Sequence, residues 1–320
     1  MYNYDLSIII VSYNSCKILI QCIESIYQFS EDLKIQILIS DNASSDDTVD
    51  MLNRKFPTIR IIRNDKNLGF AKANNRALPY CVGRYILYLN PDVILIEPLL
   101  KRMIHFLEKN EDAGAVGCKL INLDGSFQKS YSQKYPTVFN RFLEATYIEK
   151  LIQNMKNDKL ENNRPLKVAS ITGACILIPT SIIEKLNGFD ERFFMYCEDI
   201  DLCYRIYKLG LNIYYLGGLK MIHYEGGITE NNKKSYFTKV LTKESVYKYF
   251  LKYGGKYKAL IYRYSMIFAS LVRLVILLPI VIFTFFINSK RVKRYRYAML
   301  KYFKVVSWGF GFEAWTKDPC

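Results

Sequence analysis

The sequence predicts an α/β fold: a Rossmann-like, mostly parallel sheet with flanking helices, followed by a helical tail that associates with a membrane. Three observations lead there. Through the first hundred residues, short apolar β-branched runs alternate with stretches of helical spacing. Those runs are apolar at successive positions instead of every second one, as expected of strands covered on both faces of a parallel sheet. The charge is also unevenly placed. Residues 1–232 hold 27 Lys and Arg against 27 Asp and Glu, whereas 233–320 hold 18 against 3 and so carry the whole net charge of +15.

The elements follow in order. Leu6–Ser12 reads as the first strand; it is too short for the apolar stretch of a signal peptide, and no basic segment precedes it. Ser15–Phe29 has helical spacing, with Ile18, Leu19, Cys22, Ile23 and Ile26 on one side. Ile35–Ser40 is a strand, and Ser45–Phe56 a helix stopped by Pro57, with Asp46 and Asp47 as its caps. Ile59–Arg63 is a strand, Gly69–Tyr80 a helix, Tyr85–Leu89 a strand, 97–109 a helix and Gly114–Leu120 another strand. From Asn122 to Leu166 the alternation gives way to a polar insertion, extended or looped at 128–136 and helical at 140–156, of the kind that shapes a substrate mouth. Val168–Pro179 is apolar with a break at Gly173, 199–209 is a short helix ended by Gly210, and Ile213–Leu216 is the last strand.

The eight cysteines form no CxxC pair and no zinc spacing, which suits a reducing compartment. The Gly-Lys-Ser/Thr of a P-loop is absent, and so is a GxGxxG after the first strand, which argues against nucleotide hydrolysis and dinucleotide binding. The basic charge flanks an apolar run, so it points to an anionic membrane surface and not to nucleic acid.

The acidic residues carry the chemistry. Asp41 and Asp92 each follow an apolar run, which places them at the carboxyl ends of strands, the edge where open α/β sheets bind ligands. Asp92, after the rigid Pro91, is either part of an ordinary turn or an oxygen ligand for a hard cation, which takes one or two carboxylates and completes its shell with substrate phosphates. His223, ahead of two glycines, is either a satisfied core residue or lies where backbone approaches a ligand. Glu198, Asp199 and Asp201 open a helix and complement its dipole. Asp199 and Asp201 diverge around that helix, so one faces a cleft, where it would accept a proton, and the other caps or pairs with Arg205. The polar stretch 67–75 enters a helix whose backbone N–H groups suit a phosphate or a sugar oxygen.

The ordered set SIIIVSYN (7–14), SDNASSD (40–46), NLGFA (67–71), LNPDV (89–93), TGA (172–174), GFDERFF (188–194) and EDIDLCYR (198–205) resembles glycosyltransferase family 2, and within it the rhamnosyltransferase-like branch of bacterial surface-polysaccharide synthesis. The resemblance covers about residues 5–227. It implies the GT-A fold, with 1–232 as catalytic domain and 233–320 as membrane-anchoring region. It implies donor contacts from Ser12, Tyr13, Asp41, Asn67, Gly69, Phe70 and Asn90, and an acceptor side at Gly173 and Ala174. It implies a Mg2+ or Mn2+ site at Asp92 and His223, and Asp199 as catalytic base with Glu198 beside it. The family's first metal-motif acid is replaced by Asn90, which shifts weight onto His223. The Gln-x-x-Arg-Trp motif of processive synthases is missing, since Trp308 and Trp315 both lie in the tail.

The implied reaction is a single inverting displacement. A sugar moves from a nucleotide-diphosphate donor to a polyprenyl-diphosphate-linked or polysaccharide acceptor at the cytoplasmic face of the bacterial plasma membrane. A glycosidase would need two opposed carboxylates and no nucleotide site. A carbohydrate-binding or degenerate, non-catalytic protein is the alternative, and release of nucleoside diphosphate separates the two.

In the tail, residues 266–287 are 22 positions with one charge, Arg273. As a helix they would measure ~33 Å, enough for a hydrocarbon core of about 30 Å. Arg273, a helix break expected at Pro279, and basic flanks on both sides (nine Lys and Arg in 233–264, eight in 288–320) favour a re-entrant or interfacial anchor over a simple span.

Overall fold

The computed structural model describes residues 2–146, 164–224, 234–283 and 290–313. The chain forms two compact units: Met1–Tyr135, Leu160–Phe194 and Glu198–Glu230 in the first, and Pro136–Lys159, Met195–Cys197 and Asn231–Cys320 in the second.

The first unit begins with strand β1 (Tyr4–Ser12), helix α1 (Cys16–Gln28), β2 (Ile35–Asp41), α2 (Thr48–Lys55), β3 (Arg60–Arg63), α3 (Gly69–Ala77) with a 3-10 turn at Leu78–Tyr80, β4 (Gly83–Leu89), β5 (Val93–Leu95), α4 (Leu100–Lys109) and β6 (Ala113–Ile121). The short strands β7 (Phe127–Gln128) and β8 (Tyr131–Ser132) follow. After α5 (Val138–Thr146), which belongs to the second unit, come β9 (Pro165–Val168), β10 (Ser170–Ile171), β11 (Cys175–Pro179), α6 (Thr180–Leu186), α7 (Glu198–Lys208) and β12 (Asn212–His223). The second unit also holds α8 (Lys234–Phe283) and α9 (Lys290–Gly309). The part of the expected 140–156 helix beyond Thr146 lies outside the described residues.

The large sheet runs β3-β2-β1-β4-β11-β6-β12-β5, with β7 beside β6 and β9 beside β12. Strands β1 to β4 are mutually parallel, as their unbroken apolar runs predict, and β12 is parallel to β6. β11 runs antiparallel between β4 and β6. Side chains alternate between two apolar layers. Leu6, Ile8 and Ile10 of β1 join Leu19, Ile23 and Ile26 of α1 and Met103 of α4 on one face. Ile9, Ile86 and Ile176 join Ala71 of α3, Ile183 of α6, and Leu202 and Ile206 of α7 on the other. Burial on both faces is what makes the strand signal so legible.

Several elements depart from the sequence reading; strand β9, beside β12, forms where the polar insertion was expected to end. β5 and α6 were not expected: β5 is three residues long, and α6 continues the apolar run of β11 directly. β12 is twelve residues long and does not stop at Leu216. It continues through Gly217 and Gly218 by a register shift between Leu216 and Lys220, an irregularity that interrupts the apolar pattern without ending the strand. His223 is therefore the last residue of β12 and does not stand after it.

In the second unit, α8 is interrupted at Gly255 (φ 75°, ψ 178°), which only glycine adopts freely, and runs helically through Pro279 to Phe283. The expected break at Pro279 is thus not there. Trp308 of α9 is buried and donates its indole N–H to Glu244 Oε2 at 2.7 Å. The apolar part of α8 is long enough to cross a membrane, and its side chains are largely outward: Val275 is 71% exposed and Phe283 86%.

Candidate active site

The expected residues gather at the carboxyl edge of the central strands, in three linked groups. The first lies after β1 and β2. Asp41 ends β2 and is buried; both its oxygens are taken by Ser44, whose N–H donates to Oδ2 (3.0 Å) and whose hydroxyl donates to Oδ1 (2.6 Å). The Asn14 N–H in turn donates to Ser44 Oγ (2.9 Å), and Asn14 Oδ1 accepts from the Ser45 N–H (2.7 Å). Ser12 is buried against Ser15 (3.0 Å between hydroxyls), while Tyr13 beside it is exposed. Asp46 caps α2 by accepting from the Thr48 N–H at 3.2 Å; Asp47 occupies the cap position without a side-chain bond of that kind.

The second group is the turn into α3. Gly69 sits at φ +78°, and a Cβ there would lie 2.2 Å from the Phe194 carbonyl oxygen. The Asn67 side chain accepts from the Gly69 N–H (2.9 Å), and the Phe70 N–H donates to the Phe194 carbonyl (2.6 Å). Asn42, which the sequence reading passed over, ties this turn to the end of β2: its Nδ2 donates to the Gly69 carbonyl (3.1 Å) and its Oδ1 accepts from Asn64 Nδ2 (3.1 Å) and the Leu68 N–H (3.3 Å). The only hint in the sequence is its place directly after Asp41.

The third group forms where β12 pairs with β5. Register places His223 opposite Val93, and the Tyr224 N–H donates to the Asp92 carbonyl (2.9 Å), so residues remote in the chain become neighbours. His223 Nε2 lies 3.3 Å from Asp92 Oδ1 and 3.4 Å from Asn90 Nδ2. Asp92 Oδ1 is buried and has no hydrogen-bond partner. Among the described residues no three His, Cys, Asp or Glu come together as a metal-binding group. A carboxylate and an imidazole facing each other, one with an unsatisfied oxygen, nonetheless fit a divalent cation that takes its remaining ligands from substrate phosphates and water.

The peptide at Gly173 and Ala174 joins this group to Asp199. The Asn90 N–H donates to the Ala174 carbonyl (3.0 Å), and the Gly173 N–H donates to Asp199 Oδ2 (3.1 Å). A Cβ on Gly173 would stand 3.2 Å from the Phe70 ring, so a bare backbone eases the approach of Phe70. Asp199 Oδ1 accepts from the Ile200 N–H (2.8 Å). Asp201 points elsewhere: it is fully buried and pairs with Arg205 Nε at 2.7 Å, and Arg205 also donates to the carbonyls of Leu186 (2.9 Å) and Gly188 (2.8 Å). Glu198 is buried, and Oε2 has no hydrogen-bond partner. Burial first, and then the neighbouring charge of Asp199, hold its carboxyl well above the usual range.

Known proteins of similar sequence and structure point the same way. The chain is 30% identical over 178 residues to the rhamnosyltransferase WbbL of Escherichia coli K12, covering 53% of this chain and 65% of that protein. It is 26% identical over 219 residues to an N-acetylglucosaminyl-diphospho-decaprenol L-rhamnosyltransferase of Mycobacterium tuberculosis, covering 63% and 70%. Among solved structures, a mannosyltransferase of Pyrobaculum calidifontis in complex with GDP-Man and Mn2+ superposes with a TM-score of 0.56 at 12% identity, covering 98% of this chain and 89% of that one. That likeness establishes the GT-A fold. Residues 7–186, more than half of the chain, match the family described as glycosyl transferase family 2, and the protein belongs to that family.

Proposed function

We propose that this glycosyltransferase moves a rhamnosyl or other hexosyl unit from a nucleotide-diphosphate sugar to a polyprenyl-diphosphate-linked or growing saccharide, with inversion and without processivity. The observation that carries this is the buried, hydrogen-bond-free Asp92 Oδ1 facing His223 Nε2. In this reading Asp92 and His223 would hold Mg2+ or Mn2+, which would supply charge neutralisation for the diphosphate. Asp41, Asn67, Gly69, Phe70 and Asn90 line the donor side with Ser12 and Tyr13, while Gly173 and Ala174 face the acceptor.

Asp199 accepts the proton of the acceptor hydroxyl as that oxygen attacks the anomeric carbon. Its carboxylate is aimed for this by the N–H groups of Gly173 and Ile200. Burial raises the Glu198 carboxyl and disfavours its charged form, which leaves Asp199 as the base in this reading. One base and one displacement invert the anomeric centre.

Residues 1–232 serve as catalytic region and 233–320 as the anchor, resting re-entrantly or interfacially on anionic lipid at the cytoplasmic face. Two of the relatives are named for acceptors or products of this type: the mycobacterial enzyme acts on a decaprenol-linked sugar, and a glucosyltransferase of Escherichia coli, 38% identical over 104 residues, on a diphosphoundecaprenol-linked one. The test is a nucleotide-sugar screen by thermal shift with Mn2+, followed by nucleoside-diphosphate release with a polyprenyl-diphosphate saccharide. A cognate donor raises the melting temperature by its occupancy of the folded state. Full activity in excess chelator would refute the metal role.

A further inference from the structure

We propose that Gln128 is a positioning residue that sets the tautomer of His223, holding the proton on Nδ1 and turning an unprotonated Nε2 toward Asp92 Oδ1 and the Asn90 NH2 group. Its link to metal binding rests on the reading above of Asp92 and His223. Its link to the ring does not.

The argument starts from two groups whose hydrogen-bond roles admit no choice. The Asp124 carboxylate accepts from Ser126 Oγ at 2.6 Å, and its bonds to the Ser126 hydroxyl and N–H hold its carboxyl below the usual range. Ser126 Oγ therefore spends its proton on Asp124 and accepts from Asn122 Nδ2 at 2.7 Å. That orients the Asn122 amide and leaves its Oδ1 toward Gln128 Nε2, at 2.6 Å. The second fixed group is the backbone carbonyl of His223, an acceptor only, which lies 3.0 Å from the same Gln128 Nε2. Both neighbours demand that the NH2 end of Gln128 face them. Gln128 Oε1, which can only accept, then faces His223 Nδ1 at 2.8 Å, so Nδ1 must carry the proton.

A neutral imidazole with its proton on Nδ1 has none on Nε2. Nε2 and Asp92 Oδ1 are then two acceptor atoms 3.3 Å apart, and Asp92 Oδ1 makes no hydrogen bond to the ring or to anything else. Asn90 Nδ2, 3.4 Å from Nε2, donates toward the ring lone pair, but no donor reaches Asp92 Oδ1, and the two facing acceptors repel unless a cation stands between them. Ligand histidines are commonly oriented in this way by an acceptor on the other ring nitrogen. Here that acceptor is supplied by the β6–β7 turn, built on Gly125 at φ +80°, and by the strand pairing that sets Gln128 opposite Leu120.

The test uses the full-length, metal-free protein and then Mn2+ alone. The chain has two histidines, so 15N spectra of the imidazoles at alkaline pH can be assigned with one further variant, His105→Gln. The wild type should show one ring, that of His223, protonated on Nδ1. Gln128→Met keeps the side-chain length but removes the acceptor; the Nδ1–H signature should vanish, and Mn2+ affinity read by electron paramagnetic resonance should fall by roughly 10–100-fold. Gln128→Glu keeps an acceptor toward Nδ1 while losing the donor to Asn122 and to the His223 carbonyl; the Nδ1–H signature should persist in it, which a merely structural role would not predict. Wild-type tautomer or wild-type Mn2+ affinity in a folded Gln128→Met protein would overturn the proposal, and so would an Nε2-protonated ring in the wild type. If wild type binds no Mn2+ while the tautomer still depends on Gln128, the metal reading falls and the positioning role stands.

Discussion

Asp199 and Glu198 are adjacent in the chain and opposite in character. Asp199 is held by two backbone N–H groups, and Glu198 is buried with an oxygen left unpaired. Asp199→Asn preserves shape and removes the proposed base; turnover should fall by roughly 10²–10⁴-fold with donor binding retained. Near-normal turnover would move the role to another group. Glu198 gives a stability prediction. Its folded carboxyl titrates above its unfolded one, so the folded state holds the extra proton and stability declines as pH rises from the ordinary glutamate value of about 4.3 toward the raised one. Glu198→Gln needs no such proton and should be more stable than wild type at neutral pH, with the gap closing in acid. Melting curves across pH decide it, and equal stability at every pH would contradict the burial argument. Asp92→Ala should abolish metal-dependent donor binding, and His223→Ala should weaken it, as read by calorimetry with Mn2+.

At the scale of elements, the turn into α3 is tightly constrained. Gly69 combines φ +78° with backbone 2.2 Å from where a Cβ would stand. Gly69→Ala should cost about 1–3 kcal/mol in a denaturant titration and weaken donor binding with it. A variant as stable as wild type would mean that the turn can shift without loss. The motif NLGFA was visible as a string, but its partner Asn42 was not, because the sequence contains no statement of which strand end a turn is tied to. The same holds for β5. Three residues carry too little pattern to announce a strand, and β5 exists because β12 pairs with it. The long strands β1, β2 and β4 were legible for the opposite reason, being covered on both faces.

At the scale of the molecule, the charge asymmetry and the outward apolar face of α8 belong together. Val275 and Ile282 are 71% and 61% exposed and lie on a helix interrupted at Gly255 but not at Pro279. The double variant Val275→Asp, Ile282→Asp should move the protein from the membrane fraction to the soluble one in a flotation assay. Unchanged flotation would assign anchoring to the basic flanks alone. Thiol labelling of Cys320 separates the two arrangements of the tail: labelling from the outer face alone would establish a span in place of a re-entrant anchor.

The sequence by itself determined the α/β class, the strand ends that bear Asp41 and Asp92, the family and the basic apolar tail. These depend on local periodicity and on motifs read in order, both of which are written in one dimension. Only the tertiary structure decided that His223 closes β12 beside Asp92, that Asp201 serves Arg205 while Asp199 stays with Gly173, and that Gln128 and Asn42 hold the groups around them. Each of these depends on strand register or on a hydrogen bond between distant residues, and hydrogen-bond direction follows from which acceptors are already committed, which no spacing in the chain records.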